Sequence, residues 1–310
     1  MRFPDILSAI GNTPLVGLPR MSPRAGVRIW AKLEGNNPTG STKDRIALAM
    51  VEAAESAGEL TPERTILEPT SGNTGISLAM VAARKGYALT VVIPDNASEE
   101  RIRLLKLFGA EIVYSDGEKG TNGSIEVARA LARDTKYFMP FQYGNPANPL
   151  AHQQGTAMEI IRDLPDVTHF VAGLGTGGTL TGTGRGLHER NPDVRVIAAE
   201  PELGEMVYGL RSLDEGFVPP IFDPSQVDRK FLVDSAAALH ATRELTKTEG
   251  IFAGISSGAV VHVAQRIAAE EKTADIVCLL ADAGWKYLST GAWAESLAAA
   301  EKGVSESLWW

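Results

Sequence analysis

A single cysteine, Cys278, stands in this 310-residue chain, which excludes an internal disulfide and fits a reducing cytoplasm. It lies in Asp-Ile-Val-Cys-Leu-Leu-Ala-Asp, the pattern of a buried strand, and so reads as a packing residue and not a nucleophile. The five histidines show neither HxxxH nor paired-cysteine spacing, and no metal site is expected. Basic charge is also short. The formal net charge is -8 with no basic stripe, which argues against nucleic-acid binding. No apolar run approaches a membrane span, and the opening Met-Arg-Phe-Pro-Asp lacks the apolar stretch of a secretory signal. Repeats, charge blocks and low-complexity linkers are missing too, so composition alone marks no domain boundary.

What is present is alternation. Short β-branched runs at 27–33, 65–68, 88–93, 111–114, 137–139, 169–172, 194–200 and 276–281 read as strands. Alanine-rich stretches at 42–56, 75–85, 99–108, 123–134, 150–164, 179–190, 235–249, 257–271 and 291–302 read as helices. This order predicts an α/β protein with mostly parallel sheets covered on both faces. The clearest break is the polar stretch Gln142–Asn148. A second irregular stretch, Pro201–Pro224, is too long for a routine connection, and such loops in enzymes are usually functional.

Three segments carry candidate chemistry. In Asn36-Asn-Pro-Thr-Gly-Ser-Thr-Lys-Asp-Arg45 a Pro/Gly/Ser loop delivers Lys43 to a helix start. The positive end of the helix dipole disfavours the charged amine, and a neutral amine can form a Schiff base. On these residues alone a surface lysine in a capping turn reads equally well. Gly173-Leu-Gly-Thr-Gly-Gly-Thr179 follows a strand and opens a helix, the arrangement of a phosphate cradle. It also spells G-x-G-x-x-G through Gly173, Gly175 and Gly178, with Glu200 ending the next strand. An NAD-dependent dehydrogenase is therefore a rival class. Glu68-Pro-Thr-Ser-Gly-Asn-Thr-Gly75 crowds hydroxyls and an amide at another helix start, more polar groups than one cap needs, and suits a carboxylate. A third turn, Gly254-Ile-Ser-Ser-Gly-Ala259, reads as a capping turn by itself.

Taken in order with Ile10-Gly-Asn-Thr-Pro-Leu15, Phe141-Gln-Tyr-Gly-Asn-Pro-Ala-Asn148 and Asp282-Ala-Gly-Trp-Lys-Tyr-Leu-Ser-Thr290, these motifs resemble the cysteine synthase family of fold-type II pyridoxal-phosphate enzymes over essentially the whole chain. The resemblance implies two doubly wound three-layer α/β domains with the active site between them. The smaller would span residues 40–145; the larger, residues 1–39 and 146–310. It implies that Lys43 binds pyridoxal 5′-phosphate as an internal aldimine and later moves the substrate Cα proton. Asn73 would meet the cofactor's phenolic oxygen, Gly175, Thr176, Gly177, Gly178 and Thr179 its phosphate, and Ser256 its pyridine nitrogen. Thr70, Ser71, Thr74 and Gln142 would hold the amino acid carboxylate. A neutral serine at the ring nitrogen favours prompt β-elimination to an aminoacrylate, followed by addition of a sulfur nucleophile.

Within the family the loop Glu205-Met-Val-Tyr-Gly-Leu-Arg-Ser-Leu-Asp-Glu-Gly-Phe-Val218 is similar to that of the O-phosphoserine-dependent cysteine synthase M group. There the residue matching Arg211 recognises the substrate phosphate; a loop arginine paired with Asp214 or Glu215 is the plainer reading. The end Ser305-Glu-Ser-Leu-Trp-Trp310 resembles that group's short tail over the active site. The chain departs from the group at Thr42 and Gly177. The resemblance further implies a cytoplasmic homodimer that takes O-phosphoserine or O-acetylserine. Its sulfur would come from sulfide or a thiocarboxylated ubiquitin-like carrier protein, and it leaves no room for the regulatory region of related cystathionine synthases.

Overall fold

The computed structural model describes residues 2–70, 72–97 and 99–293. In chain order the strands are β1 Leu15–Gly17, β2 Val27–Leu33, β3 Thr65–Pro69, β4 Leu89–Pro94, β5 Glu111–Ser115, β6 Tyr137–Phe138, β7 His169–Gly173, β8 Arg195–Pro201, β9 Arg229–Val233 and β10 Ala274–Leu280. The helices are α1 Lys43–Ser56, α2 Asn73–Lys85, α3 Glu99–Leu107, α4 Gly120–Leu131, α5 Ala147–Ala151, α6 Met158–Asp163, α7 Gly178–Arg190, α8 Ser235–Glu244 and α9 Ile255–Glu270. No helix among the described residues is long and apolar enough to cross a membrane. The strands foreseen from β-branched runs are all present, within two residues at their ends. Two were not foreseen. β1 is only three residues long, and β9 opens on Arg229 and Lys230, whose charges hide an edge strand. The helix expected at 150–164 is interrupted by a π-helical turn, His152–Ala157, and that expected at 235–249 ends in another, Leu245–Glu249. The helix expected at 291–302 lies largely outside the described residues.

Contacts divide the chain into two units. One comprises residues 2–10 and 43–148, the other residues 11–42 and 149–293. The smaller holds a parallel sheet in the order β5-β4-β3-β6. β4 is buried along its whole length, as a central strand covered on both faces must be. Ala47 and Val51 of α1, Leu78 and Val81 of α2 and Leu105 of α3 share one core with Ile66, Val91 and Ile93. Leu67 and Val92, on the opposite face, meet Ala128 of α4. The larger unit has the order β1-β2-β10-β7-β8-β9, parallel except for β1. Phe170, Val196, Val277 and Leu279 point to Leu180 and Leu187 of α7, while their neighbours Val171, Ile197 and Cys278 are equally buried on the other side. Burial alone pushes the Cys278 thiol far above its ordinary value, in keeping with a packing role.

Each sheet reverses its strand order once. In the smaller unit β3, β4 and β5 run outward in sequence and β6 returns to the other side of β3. In the larger, β7, β8 and β9 run outward and β10 returns beside β7. Ligands of doubly wound sheets bind at the carboxyl ends of strands where the order reverses. The loops there are those after β3 and β6 in one unit and after β7 and β10 in the other.

A buried carboxyl helps to hold the loop after β6. Glu68, fully buried near the end of β3, accepts the N–H of Phe141 at 2.8 Å and of Gln142 at 2.9 Å. Phe141 has a φ of 53°, a left-handed conformation that a bulky residue adopts only under constraint. Burial pushes the Glu68 carboxyl up from its ordinary 4.5 to about 7, against the two N–H donors that pull it down. Because the folded-state value lies above the unfolded one, this group's contribution to stability is complete below about pH 4.5 and is lost as pH rises through about 7. Urea unfolding should show this component as a decline on the order of 3 kcal/mol between those limits. Glu68→Gln should remove it; an unchanged pH slope in the variant would contradict a buried, proton-holding carboxyl.

Candidate active site

The run that ends at Lys43 is fixed before its helix begins. Asn37 accepts the Gly11 N–H through Oδ1 at 2.8 Å and donates from Nδ2 to Glu34 Oε2 at 2.9 Å. Glu34 Oε1 takes the Thr13 hydroxyl at 2.7 Å. Lys32, fully buried, pairs with Glu159 at 2.6 Å and donates to Thr13 O at 2.6 Å. The Glu159 carboxylate also accepts the N–H groups of Asn12 and Thr13, at 2.9 and 3.3 Å. The Gly-Asn-Thr-Pro turn is thus a buckle for the lysine loop, and its buried charges are compensated by a partner and by hydrogen bonds. At the far end of the loop Thr42 donates to Ala281 O at 2.8 Å, and Ala283 donates to Gly40 O at 3.0 Å. Lys43 follows as the first, half-buried residue of α1. Buried Asp44 takes the Ser77 hydroxyl at 2.6 Å and ties the start of α1 to α2.

In the same unit the loop after β3 places Asn73 as the first residue of α2. The Gly72 N–H donates to Thr70 Oγ1 at 3.3 Å. Thr74 Oγ1 donates to Gln142 Oε1 at 2.7 Å, which brings together two residues singled out from distant motifs. The Gln142 carbonyl in turn takes Asn148 Nδ2 at 2.8 Å. Thr70, Thr74 and Gln142 are all buried. Ser71 lies outside the described residues. Hydroxyl and amide groups thus cluster at a helix start, at the reversal point of the sheet, an arrangement able to accept a carboxylate.

The larger unit builds its loops after β7 and β10. Gly177 caps α7 in a left-handed conformation, φ 81°, and the first N–H groups of the helix, from Gly178 to Leu180, have no carbonyl partner within it. The hydroxyl of Thr176 accepts the Gly178 N–H at 3.4 Å, and that of Thr179 lies 3.2 Å from His152 Nε2. His152, buried in the π-helical turn and 3.0 Å from Thr156 Oγ1 through Nδ1, orients the Thr179 side chain. Sequence reasoning missed it, because only Gly155 inside a helical run hints at the irregular turn. Ser256 stands in the first turn of α9 and is buried. Arg211 donates its backbone N–H to Leu174 O at 2.7 Å, and its guanidinium lies 4.9 Å from the centre of the Phe217 ring.

A dinucleotide reading of the 173–178 glycines fails on two counts. The room left by the glycines is filled by the chain itself: a side chain at Gly173 would strike Leu210, and one at Gly175 would come within 2.8 Å of Gly209 O. Glu200, required as the ribose partner, is fully buried and bonded to the Leu213 N–H at 2.7 Å and the Ser212 hydroxyl at 3.2 Å. What the loop retains is the capacity to hold a single phosphate at a helix start.

Comparison with known proteins agrees with this geometry. The model of the family described as pyridoxal-phosphate dependent enzyme matches residues 6–282. Cysteine synthase B of Salmonella typhimurium is 44% identical over 287 residues, covering 92% of this chain and 95% of that protein. Among solved structures, O-ureido-L-serine synthase is 42% identical with a TM-score of 0.89, covering 94% of this chain and 95% of the other. Cysteine synthase from Entamoeba histolytica is 33% identical with a TM-score of 0.90, covering 98% and 96%. Matches of this extent, on a fold whose switch-point loops carry the motifs, show that the chain belongs to the cysteine synthase branch of the pyridoxal-phosphate dependent enzymes.

Proposed function

We propose that the protein makes L-cysteine by β-replacement on an activated serine, with O-phosphoserine preferred over O-acetylserine. The observation that carries this reading is the placement of the reactive residues at helix starts. Lys43 opens α1, Asn73 opens α2, Gly178 opens α7 and Ser256 is the second residue of α9. The residues present fit pyridoxal phosphate. The left-handed Gly177 and the first N–H groups of α7 suit a phosphate monoester, and buried Ser256 offers a neutral hydroxyl to a ring nitrogen. When bound, the cofactor supplies the electron sink for loss of the substrate Cα proton.

The chain's own residues have the following parts. The Lys43 amine holds the cofactor and takes the proton from Cα. The Asn73 amide would donate to the phenolic oxygen, while Gly175, Thr176, Gly177, Gly178 and Thr179 would hold the 5′-phosphate. The Ser256 hydroxyl would meet the pyridine nitrogen as a neutral partner, which fixes no charge there and would favour loss of a β-leaving group. Thr70, Ser71, Thr74 and Gln142 hold the amino acid carboxylate, with Gln142 set by Glu68. Arg211 takes the phosphate of O-phosphoserine, a task suited to a planar fork of donors, and the Phe217 ring supports that plane. The enzyme works as a cytoplasmic homodimer, with sulfide or the thiocarboxylated end of a ubiquitin-like carrier protein as sulfur source. The tail ending in Trp310 lies outside the described residues and supports neither source over the other. A second reading, an O-ureido-L-serine synthase, has the 42% identity and 0.89 TM-score of that neighbour in its favour, and product analysis separates it.

Two outcomes test the reading. Purified protein should be yellow, and Lys43→Ala should lose the colour and all cysteine formation; retained turnover would contradict the lysine's role. Arg211→Ala should lower kcat/KM for O-phosphoserine about 10- to 100-fold more than for O-acetylserine, the effect of losing charged hydrogen bonds. Equal losses on the two substrates would overturn the O-phosphoserine preference.

A further inference from the structure

We propose that Glu200 is a positioning residue that sets Arg211, and through it the choice of substrate; the second half of this statement rests on the role given to Arg211 above. The long segment between β8 and β9 contains just two short 3-10 turns, Leu213–Glu215 and Pro224–Gln226, among the described residues. Something other than regular hydrogen bonding must hold its middle in place. Glu200 does so from the end of β8, where its side chain is fully buried. Oε1 accepts the Leu213 N–H at 2.7 Å and the Ser212 hydroxyl at 3.2 Å. Oε2 lies 3.1 Å from Lys230 Nζ on β9, an ion pair without the geometry of a directed hydrogen bond. Ser212 is itself buried, and its oxygen accepts the Asp214 N–H at 3.3 Å to start the first short turn.

Arg211 is therefore fastened on both sides. Its own N–H is bonded to Leu174 O in the 173–179 loop, and the two residues after it are bonded to Glu200. Leu210 before it packs into the space at Gly173, and Gly209 packs against Gly175. Leu174 is in turn bonded to Ala199 O, next to Glu200 on β8, at 2.9 Å. The backbone from which the guanidinium extends is thus referred to one strand end and to the phosphate-type loop together. A buried carboxylate with an N–H, a hydroxyl and an ammonium around it has little freedom to shift, so the reach of Arg211 is set with the same rigidity.

Trypsin supplies a test independent of turnover, since it cuts after arginine. In the holoenzyme, cleavage at the Arg211–Ser212 bond should be slow. Glu200→Ala should speed it about tenfold or more, as expected when two hydrogen bonds that order a loop are lost. Glu200→Gln, whose amide oxygen still accepts the Leu213 N–H, should stay near wild type. The kcat/KM ratio of O-phosphoserine to O-acetylserine should fall in Glu200→Ala toward the value for Arg211→Ala and be largely restored in Glu200→Gln. Unchanged cleavage at Arg211 in Glu200→Ala, with thermal unfolding confirming a folded protein, would overturn the positioning role. A ratio that changes in Arg211→Ala but not in Glu200→Ala would overturn the link to specificity. Faster cleavage with a ratio unaffected by either variant would uphold the positioning and reject instead the phosphate role of Arg211.

Discussion

The backbone of residues 281–284, just beyond β10, is the constraint on which the rest depends. On one side it takes the Thr42 N–H and gives its own Ala283 N–H to Gly40, which anchors the loop ahead of Lys43. On the other side Asp282 O accepts the Gly254 N–H and Gly284 donates to Phe252 O, which anchors the turn ahead of Ser256. Both approaches are close. A side chain at Gly254 would strike the Asp282 carboxylate, and one at Gly35 would lie 3.0 Å from the Ala283 nitrogen. One extended segment thereby fixes two turns, the one that leads to Lys43 and the one that leads to Ser256.

The same economy recurs in the carboxylates. Glu68, Glu159 and Glu200 are each buried, and each accepts backbone N–H groups from a loop far away in sequence. A buried carboxyl oxygen that takes a backbone N–H holds a loop that has no ladder of its own. Irregular segments can then present functional groups with the order of a helix or strand. At Glu68 the cost is a dependence on protonation, since burial raises its carboxyl against the pull of two backbone donors.

How much could be read from the residues follows from this. The central strands and most helices were legible, because runs such as Leu-Thr-Val-Val-Ile-Pro and the alanine-rich faces carry their own periodicity. The short β1 and the charged β9 were not, since each is defined by the neighbour it pairs with. At the site, Lys43, Asn73 and the 173–179 glycines announce themselves by local punctuation. His152, Glu68 and the true partners of Glu200 do not, because their meaning lies in residues 27, 73 or 13 positions away. Glu200 is the instructive case. Its spacing from the glycines suited a ribose-binding acid, but burial and a neighbouring loop gave it other partners.

If the lysine loop presents the Lys43 amine to pyridoxal phosphate, the two should be joined covalently in the holoenzyme. Borohydride reduction of the purified holoenzyme, followed by digestion and mass mapping, tests it most directly. The prediction is that the cofactor's mass appears on the peptide containing Lys43 and on no other. Label on another lysine, such as Lys286, or none at all, would contradict the account.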